Sequence, residues 1–256
     1  MTYLVFGDGL LGNSFKILNN ALVLSKSQCD ITDKDAVYEV IKRYKPLVVI
    51  NAAGIVPRST ESTETMFKVN SFAPHSIADI CREKKCKYIH ISTDCVFCGN
   101  RGRYTERDKP DATDMYGMSK IFGEPYSGLT LRMSFIGLPD PKGRGLLAWA
   151  QQQEEIIGYD HVYWNGVTIL EANKKIMEFA HEDITGIRHV YSYTVSKYEL
   201  LLAAKEIFGW KTKIYKETDK EEVPHRTNKT LNSIYATGFV TKPLKRQLRE
   251  LVNYVR

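Results

Sequence analysis

Tyr3-Leu4-Val5-Phe6 runs directly into Gly7-Asp8-Gly9-Leu10-Leu11-Gly12, and a helical pattern follows through Leu18. A buried strand, a glycine loop and a helix in immediate succession confine the chain to folds in which a strand hands its loop to a helix N-terminus. The glycines permit a tight turn and a close approach of backbone to a pyrophosphate, which then rests on the positive end of the helix. Gly7, Asp8, Gly9, Leu10, Leu11 and Gly12 are therefore expected to line a dinucleotide. A tight strand–helix turn with no ligand is the plain alternative.

The same alternation continues through the first half. Residues 21–24 form a second strand that stops at Ser25-Lys26, where an NAD-selective site commonly places an acid against the ribose hydroxyls. A hydroxyl and a cation there favour a 2′-phosphate and hence NADP(H), while Asp30, followed by Ile31, keeps NAD(H) open. From Asp33, the residues Ala36, Val37, Val40 and Ile41 keep helical period until Pro46. Residues 47–50 read as a buried parallel strand. Asn51-Ala52-Ala53-Gly54 closes it with small residues, as the adenine-ribose half of a cofactor requires. A helix over 61–84 carries Asn70 among Phe67, Val69 and Phe72, an apolar setting in which its side chain is expected to brace the active-site strand. Strands over 88–92 and 129–133, the latter ending at Met133, complete a doubly wound parallel sheet with ligands at the carboxyl ends of its strands.

Residues 88–124 concentrate the chemistry. Tyr116 and Lys120, four residues apart, lie on one face of a helix, so the ammonium can sit beside the phenol and a cofactor ribose. A free phenol titrates near ~10, and a neighbouring cation brings its proton within reach of general acid catalysis near neutral pH. Thr93, within Ser92-Thr93-Asp94 at the end of an apolar run, would add a second hydroxyl to the same carbonyl oxygen. A surface pair and a strand end are the plain readings. The position of all three after a dinucleotide loop favours the chemical one.

At 256 residues the chain suffices for one α/β domain and a modest appended lobe. The dinucleotide-binding part is expected over 1–136, with returning segments near 155–165 and 186–193, and a mainly substrate-binding lobe over 137–256. The Pro/Gly-rich stretch 137–145 is the expected hinge. Helices are expected over 146–153, 169–181, 197–208 and 244–255, an extended piece over 161–164 and a strand over 186–191. A formal charge of +6, with acids scattered among the bases, suits a small anionic ligand and not a nucleic acid. Cys29, Cys81, Cys86, Cys95 and Cys98 lack paired metal spacing, so no metal and a reducing cytoplasm are expected. No segment approaches the ~20 apolar residues of a membrane span. A homodimer is compatible with all of this.

GDGLLG, NAAG, STDCVFCG and YGMSK together resemble the extended short-chain dehydrogenase/reductase superfamily, within it the dTDP-4-dehydrorhamnose reductase-like group. The resemblance implies a Rossmann-like doubly wound parallel sheet with a small C-terminal α/β substrate lobe. It also implies NAD(P)H-dependent reduction of the 4-keto group of a nucleotide-linked 6-deoxyhexose, a step of deoxysugar and polysaccharide biosynthesis. It makes Thr93, Tyr116 and Lys120 catalytic and sets Gly7, Gly9, Gly12 and Ala52 at the cofactor, joined by Asn70, Ser92 and Met133. Asp94, Cys95, Trp149, Trp164 and Asn165 are then expected at the substrate, Trp164-Asn165-Gly166-Val167-Thr168 being similar to part of the group's substrate lobe. The group's basic residue near the C-terminal Ser-Leu pair corresponds to Lys229 before Thr230-Leu231, with Arg226 competing for the nucleotide phosphates. One rival is an epimerase or dehydratase with tightly bound NAD(P), against which Cys95 stands where the dehydratase STDE string has glutamate. The other is an NADP-binding regulatory subunit without turnover.

Overall fold

The computed structural model of the protein describes residues 2–57, 59–137, 145–219 and 227–255. The first elements are β1 (Tyr3–Phe6), α1 (Leu10–Asn19), β2 (Leu22–Leu24), α2 (Lys34–Tyr44), β3 (Val48–Asn51), α3 (Thr63–Phe67), a π-helical turn (Lys68–Phe72) and α4 (Ala73–Glu83). β4 (Lys87–Thr93), a 3₁₀ turn (Asp94–Val96), α5 (Met115–Ile121), β5 (Leu129–Met133), β6 (Phe135–Ile136) and α6 (Leu146–Gln151) follow. The chain continues through β7 (Glu155–Tyr159), β8 (Tyr163–Trp164), β9 (Val167–Thr168), α7 (Ile169–His181) and β10 (Gly186–Val190). It ends with β11 (Val195–Ser196), α8 (Lys197–Phe208), β12 (Lys213–Glu217) and α9 (Leu244–Val255). These elements divide between two compact units, one of residues 1–97, 109–132 and 173–188, the other of 98–108, 133–172 and 189–256.

The first unit is built on a six-stranded sheet in the order β2-β1-β3-β4-β5-β10, the doubly wound parallel sheet expected. Leu4 lies opposite Leu22 on one side and Val49 on the other, both in parallel register. Every residue of β1 and β3 is buried, which is why these strands read as unbroken apolar runs. Leu4, Phe6, Val37, Ile41, Val49, Ile77 and Cys81 join one buried cluster. Burying each large side chain of that set stabilises the unit by ~1.5–3 kcal/mol. α2 begins where the Asp33 carboxylate accepts from the amides of Asp35 and Ala36, and it ends at Lys45 in the left-handed region. Strand order reverses between β1 and β3, so the crevice of such a sheet opens between the glycine loop and Asn51-Ala52-Ala53-Gly54.

In the second unit β7 pairs in parallel with β12, β8 pairs antiparallel with β11, and β6 pairs in parallel with β9. Ser196 and Glu199 form a capping box at the start of α8, and Gly209 ends that helix with φ 69°. Residues 103–106 lie along 230–234: the Tyr104 amide donates to the Thr230 carbonyl (2.9 Å) and the Asn232 amide to the Tyr104 carbonyl (2.6 Å). The Glu106 carboxylate accepts from the His189 amide (3.0 Å), the Ser233 hydroxyl (2.6 Å) and the Ile234 amide (3.0 Å). No helix among the described residues is long and apolar enough to cross a membrane.

Two expectations meet a different arrangement, and a third falls partly outside the described residues. The helix expected over 61–84 starts at Thr63 behind an Ser62 cap and is interrupted by the π-helical turn. Residues 155–165, expected to return to the dinucleotide-binding part, belong to the second unit because β7 finds its hydrogen-bonding partner in β12. Of the expected hinge, residues 138–144 lie outside the described residues.

Candidate active site

The glycine loop is shaped by contacts that exclude side chains. Gly7 has φ +97° and packs against the Ala53 backbone, and a Cβ on Gly12 would run into the Gly7 carbonyl oxygen. Gly9 differs, since nothing lies within 4 Å of where its Cβ would be. It caps α1 with no side-chain hydrogen bond, and the first turn holds no acidic residue. The helix therefore presents its amides and positive end to open space, as a pyrophosphate requires. Asn13 steadies the loop by donating to the Asp8 carbonyl (2.6 Å), while Leu11 turns into the core.

Ser25 is engaged in its own turn, its hydroxyl within 3.0 Å of Gln28 Oε1. Lys26 Nζ stands 4.0 Å from Glu61, both side chains exposed, a pairing that costs little to break. Asp30 gives one carboxylate oxygen to the Thr32 amide (2.9 Å) and hydroxyl (2.7 Å). The amide bond is the main cause holding its pKa below the usual carboxylate value. Ile31 beside it is buried. Asn51 is buried at the end of β3 and accepts from the Ala53 amide (3.2 Å), fixing the turn into Ala52-Ala53-Gly54.

Thr93 closes β4, and Tyr116 and Lys120 sit on α5, which Asp114 caps by accepting from the Gly117 amide (2.8 Å). The Thr93 hydroxyl accepts from the Cys95 amide (3.1 Å) and donates to Asp94 Oδ1 (3.2 Å). Burial first, then Cys95, Asp94 and Asp114, push the Tyr116 phenol above its ordinary pKa, and the Thr93 hydroxyl opposes them. The expected downward pull of Lys120 is not what the geometry gives. Lys120 Nζ donates to the Ile91 carbonyl (2.9 Å) and faces His90 Nε2 (3.4 Å), because a buried ammonium takes the nearest acceptors on β4. Desolvation lowers its pKa to about 8, with the Glu124 carboxylate acting in the opposite direction. A phenol held protonated is the form a reduction consumes, so the set is suited to giving a proton, not taking one.

Asn70 braces a loop and a helix, not the strand expected. At 1% exposure, its Oδ1 accepts from the Ile55 amide (2.8 Å), and its Nδ2 donates to the Ile55 carbonyl (2.8 Å) and Ser119 Oγ (3.0 Å). It thereby ties the loop after β3 to α5, and Ser71 adds a bond to the Ser119 carbonyl (2.8 Å). Met133 is buried at the end of β5. Ser92 donates to Glu124 Oε1 (2.7 Å), and Arg132 grips the same carboxylate through Nε (2.8 Å) and Nη2 (2.6 Å). His90, Glu124 and Arg132 escaped the sequence reading. Two signals were present: Tyr88, His90 and Ser92 alternate polar groups along a buried strand, and Glu124 continues the Tyr116, Lys120 spacing.

The substrate candidates are scattered. Asp94 and Cys95 are half-buried in the turn after Thr93. In the second unit, Trp149 is exposed on α6, whereas Trp164 is buried and donates from Nε1 to Ser134 Oγ (2.9 Å). The Asn165 carboxamide clamps Leu231, donating to its carbonyl (2.7 Å) and accepting from its amide (3.0 Å). That engagement makes it a brace for the 229–231 strand of chain. Lys229 is half-buried, and Arg226 lies outside the described residues.

Against known proteins, the chain is 37% identical over 118 residues to the probable low-salt glycan biosynthesis reductase Agl14 of Haloferax volcanii, 43% of this chain and 39% of that one. It is 36% identical over 106 residues to a dTDP-4-dehydrorhamnose reductase of Aggregatibacter actinomycetemcomitans, 40% of this chain and 36% of that one. The matched stretch thus spans well under half the length of either relative. The crystal structure of dTDP-4-dehydrorhamnose reductase from Bacillus anthracis in complex with NADP superposes over 100% of this chain and 99% of that one, with TM-score 0.84 and 20% identity, a likeness of fold. The stretch that holds the glycine loop, Thr93, Tyr116 and Lys120 lies within residues 2–127, which match the family described as RmlD substrate binding domain.

Proposed function

We propose that the protein is an NADPH-dependent reductase of a nucleotide-diphosphate 4-keto-6-deoxyhexose. The observation that carries the reading is Thr93 at the end of β4 together with Tyr116 and Lys120 one helical turn apart on α5, in the unit whose glycine loop leaves an uncapped helix N-terminus open. When bound, the dinucleotide would supply the hydride that reaches the keto carbon. Tyr116 gives its proton to the carbonyl oxygen as the alcohol forms, and Thr93 orients that oxygen and the phenol. Lys120 holds the ribose. Gly7, Gly9, Gly12 and the Asn51–Gly54 turn receive the pyrophosphate and adenosine, with Asn70 keeping loop and helix in register. Preference for NADPH over NADH rests on Ser25-Lys26, since Asp30 is occupied by Thr32 and Lys26 by a loose partner. Lys229, Arg226 and Trp149 are assigned to the nucleotide and sugar. A homodimer in the reducing cytoplasm completes the proposal.

The test is NADPH oxidation with dTDP-, UDP-, GDP- and CDP-linked 4-keto sugars. Tyr116→Phe is expected to slow turnover by ~10²–10⁴ with NADPH affinity nearly unchanged, because general acid catalysis is lost and binding is not. Retention of most activity would overturn the assignment. In the same assay Lys26→Ala should weaken NADPH about ten- to a hundredfold and NADH little.

A further inference from the structure

β4 is buried almost throughout, and most of its inward neighbours are what a sheet core requires: Ile89 and Ile91 are apolar and Tyr88 packs beneath α4. His90 stands out. Its imidazole is 0% exposed on the strand face it shares with Tyr88 and Ser92, a place where a branched aliphatic side chain would pack without any desolvation cost. Its Nε2 lies 3.4 Å from Lys120 Nζ, and its Nδ1 lies 3.5 Å from Asn51 Nδ2.

Lys120 is the other half of the observation. An ammonium has three hydrogens and no lone pair, and at 5% exposure Lys120 must find acceptors inside the protein. The Ile91 carbonyl at 2.9 Å is one, and among the described residues the side-chain acceptor facing the ammonium is His90 Nε2 at 3.4 Å. We propose that His90 is a positioning residue for Lys120, its Nε2 accepting from the ammonium so that Nζ is held by a side chain as well as by the strand. The proton then sits on Nδ1, 3.5 Å from the Asn51 amide nitrogen, which itself donates to the Tyr88 hydroxyl (3.3 Å).

The surroundings keep this acceptor available. Burial, then the charges of Lys120 on α5 and His75 on α4, hold His90 well below the ordinary histidine pKa, so the imidazole stays neutral. Tyr88 on the same strand is itself pushed up by burial and remains a neutral phenol. Glu124, the charge just beyond α5 that faces this region, is already bound by Arg132 of β5 and by Ser92. It supports the lysine's charge from a distance and leaves the direct hydrogen bond to His90.

The inference rests on the proposed reductase only in giving Lys120 a catalytic use, and its test needs no substrate. In the full-length protein, the titration of Lys120 is followed by NMR of lysine labelled at Cε, its signal identified by loss in Lys120→Met. His90→Leu, which keeps the volume and removes the acceptor, should lower the Lys120 pKa by about one unit. His90→Gln, whose carbonyl oxygen can accept, should restore most of it. A purely structural histidine would lower the melting temperature in both variants and leave the lysine titration in place, which would overturn the proposal. Should His90→Leu fail to fold, ¹⁵N spectra of the unaltered protein decide the matter: an unprotonated Nε2 and protonated Nδ1 at neutral pH are expected, and an Nε2–H tautomer overturns it. Failure to reduce any keto sugar would sink the reductase reading while leaving this titration result standing.

Discussion

Lys120 ties function and stability to pH in opposite directions. Its pKa of about 8 lies below that of an unfolded lysine, so between those values the unfolded chain binds more protons than the folded one. The cost of burying the ammonium, roughly 3 kcal/mol by that difference, is therefore present in full below pH 8 and is relieved as pH rises toward ~10. The proposed chemistry needs the charged form, so the rate should fall as pH rises through about 8. Lys120→Met should abolish turnover yet be the more stable protein in urea at pH 7, with the advantage shrinking by pH 10. Equal unfolding midpoints at both pH values would contradict the assigned burial cost. At this scale the identities of Thr93, Tyr116 and Lys120 were legible, since a strand end and an i, i+4 pair suffice to name them. The direction of the lysine was not, because helical spacing gives a face and says nothing of the acceptors competing for Nζ. His90, Glu124 and Arg132 were hidden for a related reason: each matters through a partner at least eight residues away.

Among the elements, the π-helical turn does the most for the site. One extra residue per turn brings Asn70 and Ser71 both to bear on Ser119 of α5. The reciprocal adjustment is at Gly123, where a Cβ would run into the Asn70 carbonyl oxygen. Gly123→Ala must push α5 from the turn, so a loss of about 1–3 kcal/mol is expected in chemical denaturation. Turnover should drop along with it, because Tyr116 and Lys120 move with the helix. Wild-type stability and rate in that variant would show that the close approach is not needed. The apolar period through 61–84 hid the turn, since inserting one residue hardly alters the pattern of apolar positions. β7 was missed because its two exposed residues, Glu155 and Ile157, mix charge and apolarity, and β6, β9 and β11 are two residues long, too short for any period, whereas β8 falls within the extended piece expected over 161–164.

For the whole molecule, the chain passes between its two units five times. The alternation in the first half made the doubly wound sheet readable, because each parallel strand announces itself locally. The pairing of Tyr104 with Thr230 and Asn232 could not be read, since nothing local marks partners so far apart. A boundary drawn from likeness to relatives is therefore not one at which the chain can be cut. A fragment ending at residue 127, where the family match stops, would carry Thr93, Tyr116 and Lys120 and still lack β5, β10 and Arg132. Its Glu124 would lose the guanidinium that neutralises it, and β4 would become an edge with a bare row of amides and carbonyls. Such a fragment should collect in the insoluble fraction on expression, whereas the whole chain should not. Soluble, cooperatively melting material from residues 1–127 would disprove this. Evolution can lengthen or recolour the second unit's loops at will, but it cannot trade the two units as cassettes, because every splice that removes one takes strands from the other.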